Sequence, residues 1–449
     1  MTRFWLLLLP FACMAGSLVA QVTPRDPRIS SLLQEISPVR IRETVERLAA
    51  FSTRHTLSDT TSQTRGIGAA RRWIQSAFGE LAKQADGRMI VALDEFTAGP
   101  SGRIPHPVRL ANVIATLRPQ AGPVQPGDRM IVIGAHYDSR AGNPMDSVAD
   151  APGANDDGSG TALVLELARV FSRQSFNATI VFACFVGEEQ GLLGAAHWAE
   201  QAREKGWNVE AMLNNDIVGN TEGGSGIAES TYVRLFSEAF SPTDTGRTLA
   251  RVNSLGLEED RPSRSLARFI KETAEHYVPG FSVHMIYRRD RFLRGGDHTP
   301  FHQHGFAAVR FSEAAENYDR QHQNPDRTKR MGDLPEFVNA DYCGNVARVN
   351  AAVAATLASA PAPPKEASIV LSGLEYGTTL HWNPSHGAYG YVVRWRETTS
   401  PVWEHALGVK DTTVQLKVSK DDCFFGVQAV DENGNASLVT VPLPEQAKK

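Results

Sequence analysis

A three-layer α/β domain with a mixed central sheet, followed by a small all-β sandwich, is the fold this sequence predicts. Three observations lead there. Continuous apolar runs, MIVIGA at 130–135 and TIVFACFV at 179–186, read as strands covered on both faces. Segments with helical spacing alternate with such runs, the clearest being GIGAARRWIQSAFGEL at 66–81 and GSGTALVLELARVF at 158–171. At Ser359 the composition turns proline-rich (SAPAPPKEAS), and beyond it come short segments of period two separated by turn residues.

Taken in order, the first 20 residues read as an export signal. Arg3 supplies the positive start, residues 4–14 an apolar stretch too short to span a membrane, and Leu18-Val19-Ala20 a small-residue cleavage site before Gln21. Pro10 and Phe11 fit poorly before a lipid-anchored cysteine, which argues against an anchor at Cys13. The α/β domain then covers 21–358, with a loosely structured start to about residue 40. Helical spacing marks 41–51, and the hydroxyl-rich stretch 52–65 reads as a surface loop before the helix at 66–81. Strands are expected at 89–96, 111–117 and 130–135, a helix at 158–171, and a strand at 179–186. A helix at about 192–205, a strand at 209–215, and helices around 232–240 and 264–277 follow. Strands at 281–287 and 307–312 and a helix at about 339–357 close the domain. Residues 359–367 form the linker and 368–443 the sandwich. Within the sandwich, Trp382 after an alternating strand, the run Tyr391–Trp395 and the segment VQAVDENGN resemble fibronectin type III domains. Such a domain would contact a surface or polymer, or shield its neighbour; it holds no cluster of catalytic residue types.

The 46 basic and 50 acidic side chains nearly balance, which argues against nucleic acid or an anionic membrane as partner. Of the 4 cysteines, Cys13 lies in the signal, and Cys184, Cys343 and Cys423 make no disulfide framework, although a Cys343–Cys423 bridge stays open.

Polar residues recur where apolar strands end, which is where open α/β sheets bind ligands. GAHYDSR places His136 and Asp138 after one strand, two residues apart, so that the carboxylate can orient the imidazole. PGANDDGSG sets Asp156 and Asp157 in a glycine-rich turn before a helix, where glycines let a carboxylate approach a metal. GEEQG sets Glu188 and Glu189 at the end of the 179–186 strand, pointing in different directions, so one can bind metal while the other shuttles a proton. MLNNDIVGN offers Asp216. The last candidate is a histidine: GGDHTPFHQHG offers His298, His302 and His304, and NYDRQHQNPD offers His322. His298 and His302, four apart, would share a helix face as a separate metal clip.

In order and spacing these segments resemble the clan MH double-zinc peptidases, a group that includes bacterial leucyl aminopeptidases and relatives of glutamate carboxypeptidase; the likeness spans about residues 40–358. The resemblance implies His136, Asp156, Glu189, Asp216 and His322 as ligands of two zinc ions, with Asp156 bridging. It implies Asp138 as the residue orienting His136 and Glu188 as the general base. The family's Ser-Asp-His segment corresponds to Gly296-Asp297-His298, and the segment that supplies the last ligand to His322 with Asp326. His298 then becomes a wall of the site. Two departures from the family are Gln323 in place of threonine and Gly296 in place of serine.

The ligand set also suits zinc on chemical grounds, being mixed nitrogen and oxygen around a shared carboxylate. The expected reaction is hydrolysis of the N-terminal peptide bond of a peptide, by a water bridging the metals with Glu188 as base. Tyr287, Tyr318 and Arg294 are the candidates for binding oxyanion or substrate, and the sequence does not choose among them. A carboxypeptidase or dipeptidase on the same scaffold is the alternative, and the cluster Arg288, Arg289, Arg291 and Arg294 would serve it. A one-zinc glutaminyl cyclase and an inactive binding protein are further readings, both disfavoured by the complete ligand set.

Overall fold

The computed structural model describes residues 25–119, 127–371 and 376–445, so the export signal at 1–20 lies outside the described residues. The first domain contains α1 (Pro27–Gln34), α2 (Pro38–Ala49), α3 (Gly66–Ala82), β1 (Met89–Ala98), β2 (Val108–Leu117), β3 (Arg129–His136), α4 (Gly158–Phe171), β4 (Thr179–Phe185) and α5 (Leu193–Glu204). It continues with β5 (Asn208–Asn215), β6 (Tyr232–Ser237), α6 (Gly246–Leu255), α7 (Pro262–Tyr277), β7 (Ser282–Ile286), α8 (His298–Gln303), β8 (Ala308–Glu313) and α9 (Ala340–Ser359). A second, all-β unit holds β9 (Lys365–Ile369), β10 (Thr378–Asn383), β11 (Gly390–Glu397), β12 (His405–Val409), β13 (Thr413–Leu416), β14 (Cys423–Val430) and β15 (Leu443–Pro444).

The strands of the first domain form one mixed 8-stranded sheet in the order β1-β2-β4-β3-β5-β8-β6-β7. Its centre, β4-β3-β5-β8, is parallel. Both faces are covered, and the sequence says how. Along β4, Ile180, Phe182 and Cys184 enter one core while Val181, Ala183 and Phe185 enter the other. Successive side chains leave a strand on opposite faces, so a strand buried on both has no polar position left. The larger core is completed by α1–α4, α7 and α9, the smaller by α5 and α8, giving three layers.

Residues 232–240 depart from expectation: they begin as a strand, β6, not a helix. Val233 and Leu235 are buried while Tyr232 and Arg234 are only half-buried, a period of two. The backbone pairs with β7 on one side and β8 on the other, and that pairing overrides a helix-compatible composition. The start of the domain is also more ordered than expected. Asp26 caps α1 by accepting from the Arg28 amide, and Ile29, Leu32 and Leu33 are buried.

The all-β unit has one 4-stranded and one 3-stranded sheet, and Leu380, Trp382, Tyr391, Val393, Phe425 and Val427 from both share one core. It is fastened to the first domain. Asp260 pairs with Arg268 at 3.0 Å and with Arg396 of β11 at 2.9 Å, all three buried, and the ring of Trp403 lies under both guanidiniums. Asn435 donates to Asp26 at 2.9 Å. Cys423 is a free thiol and Cys343 is buried in α9, so these two are not bridged. Among the described residues no helix is long and apolar enough to cross a membrane.

Candidate metal centre

The carboxyl ends of the parallel strands converge on one cluster. His136 is the last residue of β3, Glu188 and Glu189 follow β4, and Asp216 follows β5. Asp156 precedes α4, whose N-cap is Asp157, and His322 comes from the loop after β8. Backbone in the left-handed region concentrates here, at Leu192, Ile217 and His322 (φ 61, 59 and 51). Such conformations cost free energy for residues with a Cβ and gather at functional sites.

Asp156 is the hinge of the cluster. Its Oδ1 lies 3.2 Å from His136 Nε2 and its Oδ2 lies 2.9 Å from His322 Nε2. His136 Nε2 also faces Asp216 Oδ1 at 3.8 Å, and His322 Nε2 faces Glu189 Oε1 at 3.0 Å. Two groups of potential metal donors result, His136 with Asp157 and Asp216, and Asp156 with Glu189 and His322. Both oxygens of Asp157, however, are engaged elsewhere, and Asp156 Oδ1 is the nearer carboxylate to His136 Nε2. Oδ1 of Asp157 accepts from the amides of Gly160 and Ile217, and Oδ2 from that of His136. Asp157 is therefore a helix cap, and Asp156 carries the carboxylate that faces both histidines.

The residues fit a pair of cations. His136 Nε2 and Glu189 Oε1 are buried and form no hydrogen bond among the described residues. Buried polar atoms are otherwise almost always paired, and these two point at the remaining donors. His136 Nδ1 lies 3.1 Å from the backbone oxygen of Asp138, which fixes the ring and leaves Nε2 for a metal.

Charge in the cluster is unevenly held. Burial opposes a proton on His136, but Asp138, Asp156 and Asp216 raise it well above the ordinary histidine range. Burial drives Glu188 well above the usual carboxylate range, with Asp216 and Glu189 adding to the rise. At His322 burial works against a proton while Glu189 and Asp156 push its titration up to about 10. Arg140 nevertheless meets Nδ1 of that ring at 2.6 Å, and a guanidinium can only donate. Nδ1 therefore accepts, and a cation held at Nε2 would replace the proton that Asp156 and Glu189 attract there.

Asp138 does something the spacing did not suggest. Its carboxylate stands 3.6 Å from His136 Nδ1, too far for a hydrogen bond. Instead Oδ1 accepts from the Gly187 and Glu188 amides at 2.9 and 3.2 Å, and Oδ2 from Thr56 and from the Glu189 amide. It ties the end of β3 to the turn that presents both glutamates; the ring is oriented by the carbonyl of the same residue. Two supporting residues carried no sequence signal. Asp333 accepts from the Asn155 and Asp156 amides, both at 2.7 Å. Arg310 of β8 forms an ion pair with Asp216 Oδ1 at 2.8 Å.

The remaining candidates separate from the cluster. Tyr287 lies beneath Arg264, with Arg268, Glu259 and Arg396 as its charged neighbours, beside the seam with the all-β unit. Arg294 is in an exposed loop and Tyr318 is 58% exposed. His298 is buried against the backbone oxygen of Arg289 and joins neither donor group. His302 uses both ring nitrogens, on Ser263 and the Phe240 carbonyl, which removes the His298–His302 clip. Asp326 is a loop cap on Thr328 and Lys329.

Glu313, at the end of β8, gives a test away from the donors. Its Oε2 accepts from Asn155 and Asn220 while Oε1 is unpaired, and burial raises its carboxyl well above the ordinary value of 4.5. A raised folded value means that this group's contribution to stability is complete below the unfolded value and is lost as pH rises through the folded one. Glu313→Gln should therefore match the parent in acid and melt a few degrees higher at alkaline pH. Thermal unfolding at two pH values checks this, and an unchanged difference between parent and variant would count against it.

Residues 112–335 match the model of peptidase family M28. A protein of Pyricularia oryzae named "Probable zinc metalloprotease" is 42% identical over 440 residues, covering 96% of this chain and 87% of that protein. A similarly named protein of Leptosphaeria maculans is 42% identical over 425 residues, covering 93% and 97%. Among solved structures, the LapA aminopeptidase of Legionella pneumophila superposes with a TM-score of 0.52 at 20% identity, over 75% of this chain and 76% of that one. The aminopeptidase from Aneurinibacillus sp. strain AM-1 superposes with a TM-score of 0.52 at 16% identity, over 75% and 96%. At those identities the likeness is one of fold.

Proposed function

The chain is a zinc metallopeptidase belonging to family M28, and from that premise we propose that it is an exported exopeptidase with two zinc ions that removes the N-terminal residue of peptides. The observation behind the two-metal reading is the single carboxylate of Asp156 set between two histidines, at 3.2 and 2.9 Å. His136 and Asp216 would hold one ion, Glu189 and His322 the other, and Asp156 both. When bound, zinc supplies Lewis acidity, polarising the scissile carbonyl and acidifying water beside it.

The protein's own groups do the rest. Glu188 takes the proton of the attacking water and delivers it to the leaving amine. Asp138 fixes where Glu188 starts, by holding the amides of its turn. Of the arginines that the carboxypeptidase alternative would use, Arg291 is bound by Asp290 and Glu316 and Arg289 by Glu238, which leaves Arg288 and Arg294 as its only candidates among the described residues. Arg294 is exposed and Arg288 stacks on Phe292.

The deciding experiment pairs zinc analysis of the purified protein with hydrolysis of two blocked peptides. One has only a free N-terminus, the other only a free C-terminus. Two zincs and cleavage of the first peptide alone are expected. Cleavage of the second alone would make the protein a carboxypeptidase, and no cleavage with no zinc would remove the enzymatic reading. Export is tested by sequencing the mature protein, which should begin at Gln21.

A further inference from the structure

Arg310 projects from β8 into the floor of the cluster, and its side chain is 2% exposed. Two of its three nitrogens are engaged. Nη2 forms an ion pair with Asp216 Oδ1 at 2.8 Å, and Nη1 donates to Asp290 Oδ2 at 2.6 Å and to the Gly295 carbonyl at 2.5 Å. The oxygen it holds on Asp216 is the one that faces His136 Nε2 at 3.8 Å. A guanidinium presents its donors in a rigid plane, so two anchored contacts fix the third. The ion pair thus holds Oδ1 on the side that faces His136.

The neighbouring glycine is what lets the fork lie there. A Cβ on Gly296 would stand 3.0 Å from Arg310 Nη1, 3.2 Å from Asn214 Nδ2 and 3.3 Å from His298 Nδ1. Contacts that close require a neighbour to yield. Nη1 is held by Asp290 and the Gly295 carbonyl, and His298 through Nε2 by the Arg289 carbonyl at 2.8 Å, so the few tenths of an ångström that a Cβ requires would come from groups already anchored. Asp290 in turn keeps a second cation, Arg291, at 3.1 Å, so its charge is balanced independently of Arg310.

We propose that Arg310 is the positioning residue for Asp216 in the His136 metal site, and that Gly296 is glycine so that this guanidinium can pass. This rests on the two-zinc reading above. Partners of metal-binding carboxylates typically contribute 10- to 100-fold in metal affinity. Removing Arg310 should therefore weaken one of the two zincs by about that factor and leave the other, held by Glu189 and His322, as it was.

The test is a zinc titration of the metal-stripped full chain in competition with a chromophoric chelator, for the parent, Arg310→Met, Arg310→Lys and Gly296→Ala. Cobalt loading with absorption spectra provides a second readout. Two dissociation constants are expected for the parent. In Arg310→Met and Gly296→Ala one constant should rise about 10- to 100-fold, the other should hold, and the cobalt bands of one site alone should shift. Lysine should recover part of the loss, since it restores charge without the fork. Gly296→Ala changes no charge, so it decides the matter if Arg310→Met does not fold. Unchanged constants in both variants overturn the proposal, as does equal weakening of both sites, which marks a general structural role. A parent that takes up fewer than two zincs fails the two-zinc reading first and this inference with it.

Discussion

Glu188→Gln lowers turnover on a peptide with a free N-terminus by about a thousandfold, within the 10²- to 10⁴-fold range of a lost acid–base catalyst. Zinc content and thermal midpoint stay at parental values. The structural basis is the division of labour between two adjacent glutamates. Glu189 faces His322 through Oε1, which places it in the donor cluster, and Oε2 is held by Arg140. Glu188 is in neither donor group, although its charge is felt by Arg310 across the site. An amide of the same shape keeps the packing and removes the proton transfer. If Glu188→Gln loses zinc, the two glutamates have exchanged roles; if it keeps full turnover, the base lies elsewhere.

On the two-zinc reading, His322→Ala should release one of the two ions and abolish hydrolysis, whereas His298→Ala should retain both. His322 presents Nε2 to two carboxylates at 2.9 and 3.0 Å. His298 presents Nε2 to a carbonyl and is held down to about 4 by burial, as a structural histidine inside the wall would be. Removing a ligand from a shared site leaves two carboxylates facing each other without a cation, so the loss should exceed that of a supporting residue. Metal analysis after dialysis against a weak chelator separates the two variants. Release of zinc by His298→Ala alone would transfer the ligand role to that residue.

Much of this was legible before any coordinates. The parallel centre of the sheet is legible because a strand buried on both faces reads as a continuous apolar run, as from Ile180 to Phe185. The motifs at strand ends were legible because chemistry-bearing residue types there interrupt apolar runs. What stayed hidden depends on distance in three dimensions. The sequence does not choose among Tyr287, Tyr318 and Arg294, because the choice depends on strand direction: β6 and β7 run opposite to β8, and Tyr287 ends among Arg264, Arg268, Glu259 and Arg396. The 3.6 Å gap between the Asp138 carboxylate and His136 could not be read from a two-residue spacing. Asp333 and Arg310 support the site from far along the chain, and a lone acid or base in an ordinary segment gives no sign of its partner. β6 was misread for a related reason: its composition permits a helix, and only sheet neighbours on both sides make it a strand.

The buried pairing of Asp260 with Arg268 and Arg396 changes what the proline-rich stretch is for. With one acid shared by two cations from separate units, and with Asn435 reaching back to Asp26, pulling the units apart would strand desolvated charges on both halves. The segment after α9 thus acts as a seam and not a tether. The two units should melt together in a single calorimetric event, and a fragment ended at the seam would inherit an exposed Asp260–Arg268 remnant and a bare Trp403 binding face. For anyone preparing the peptidase, the practical boundary of the folding unit is the end of the sandwich.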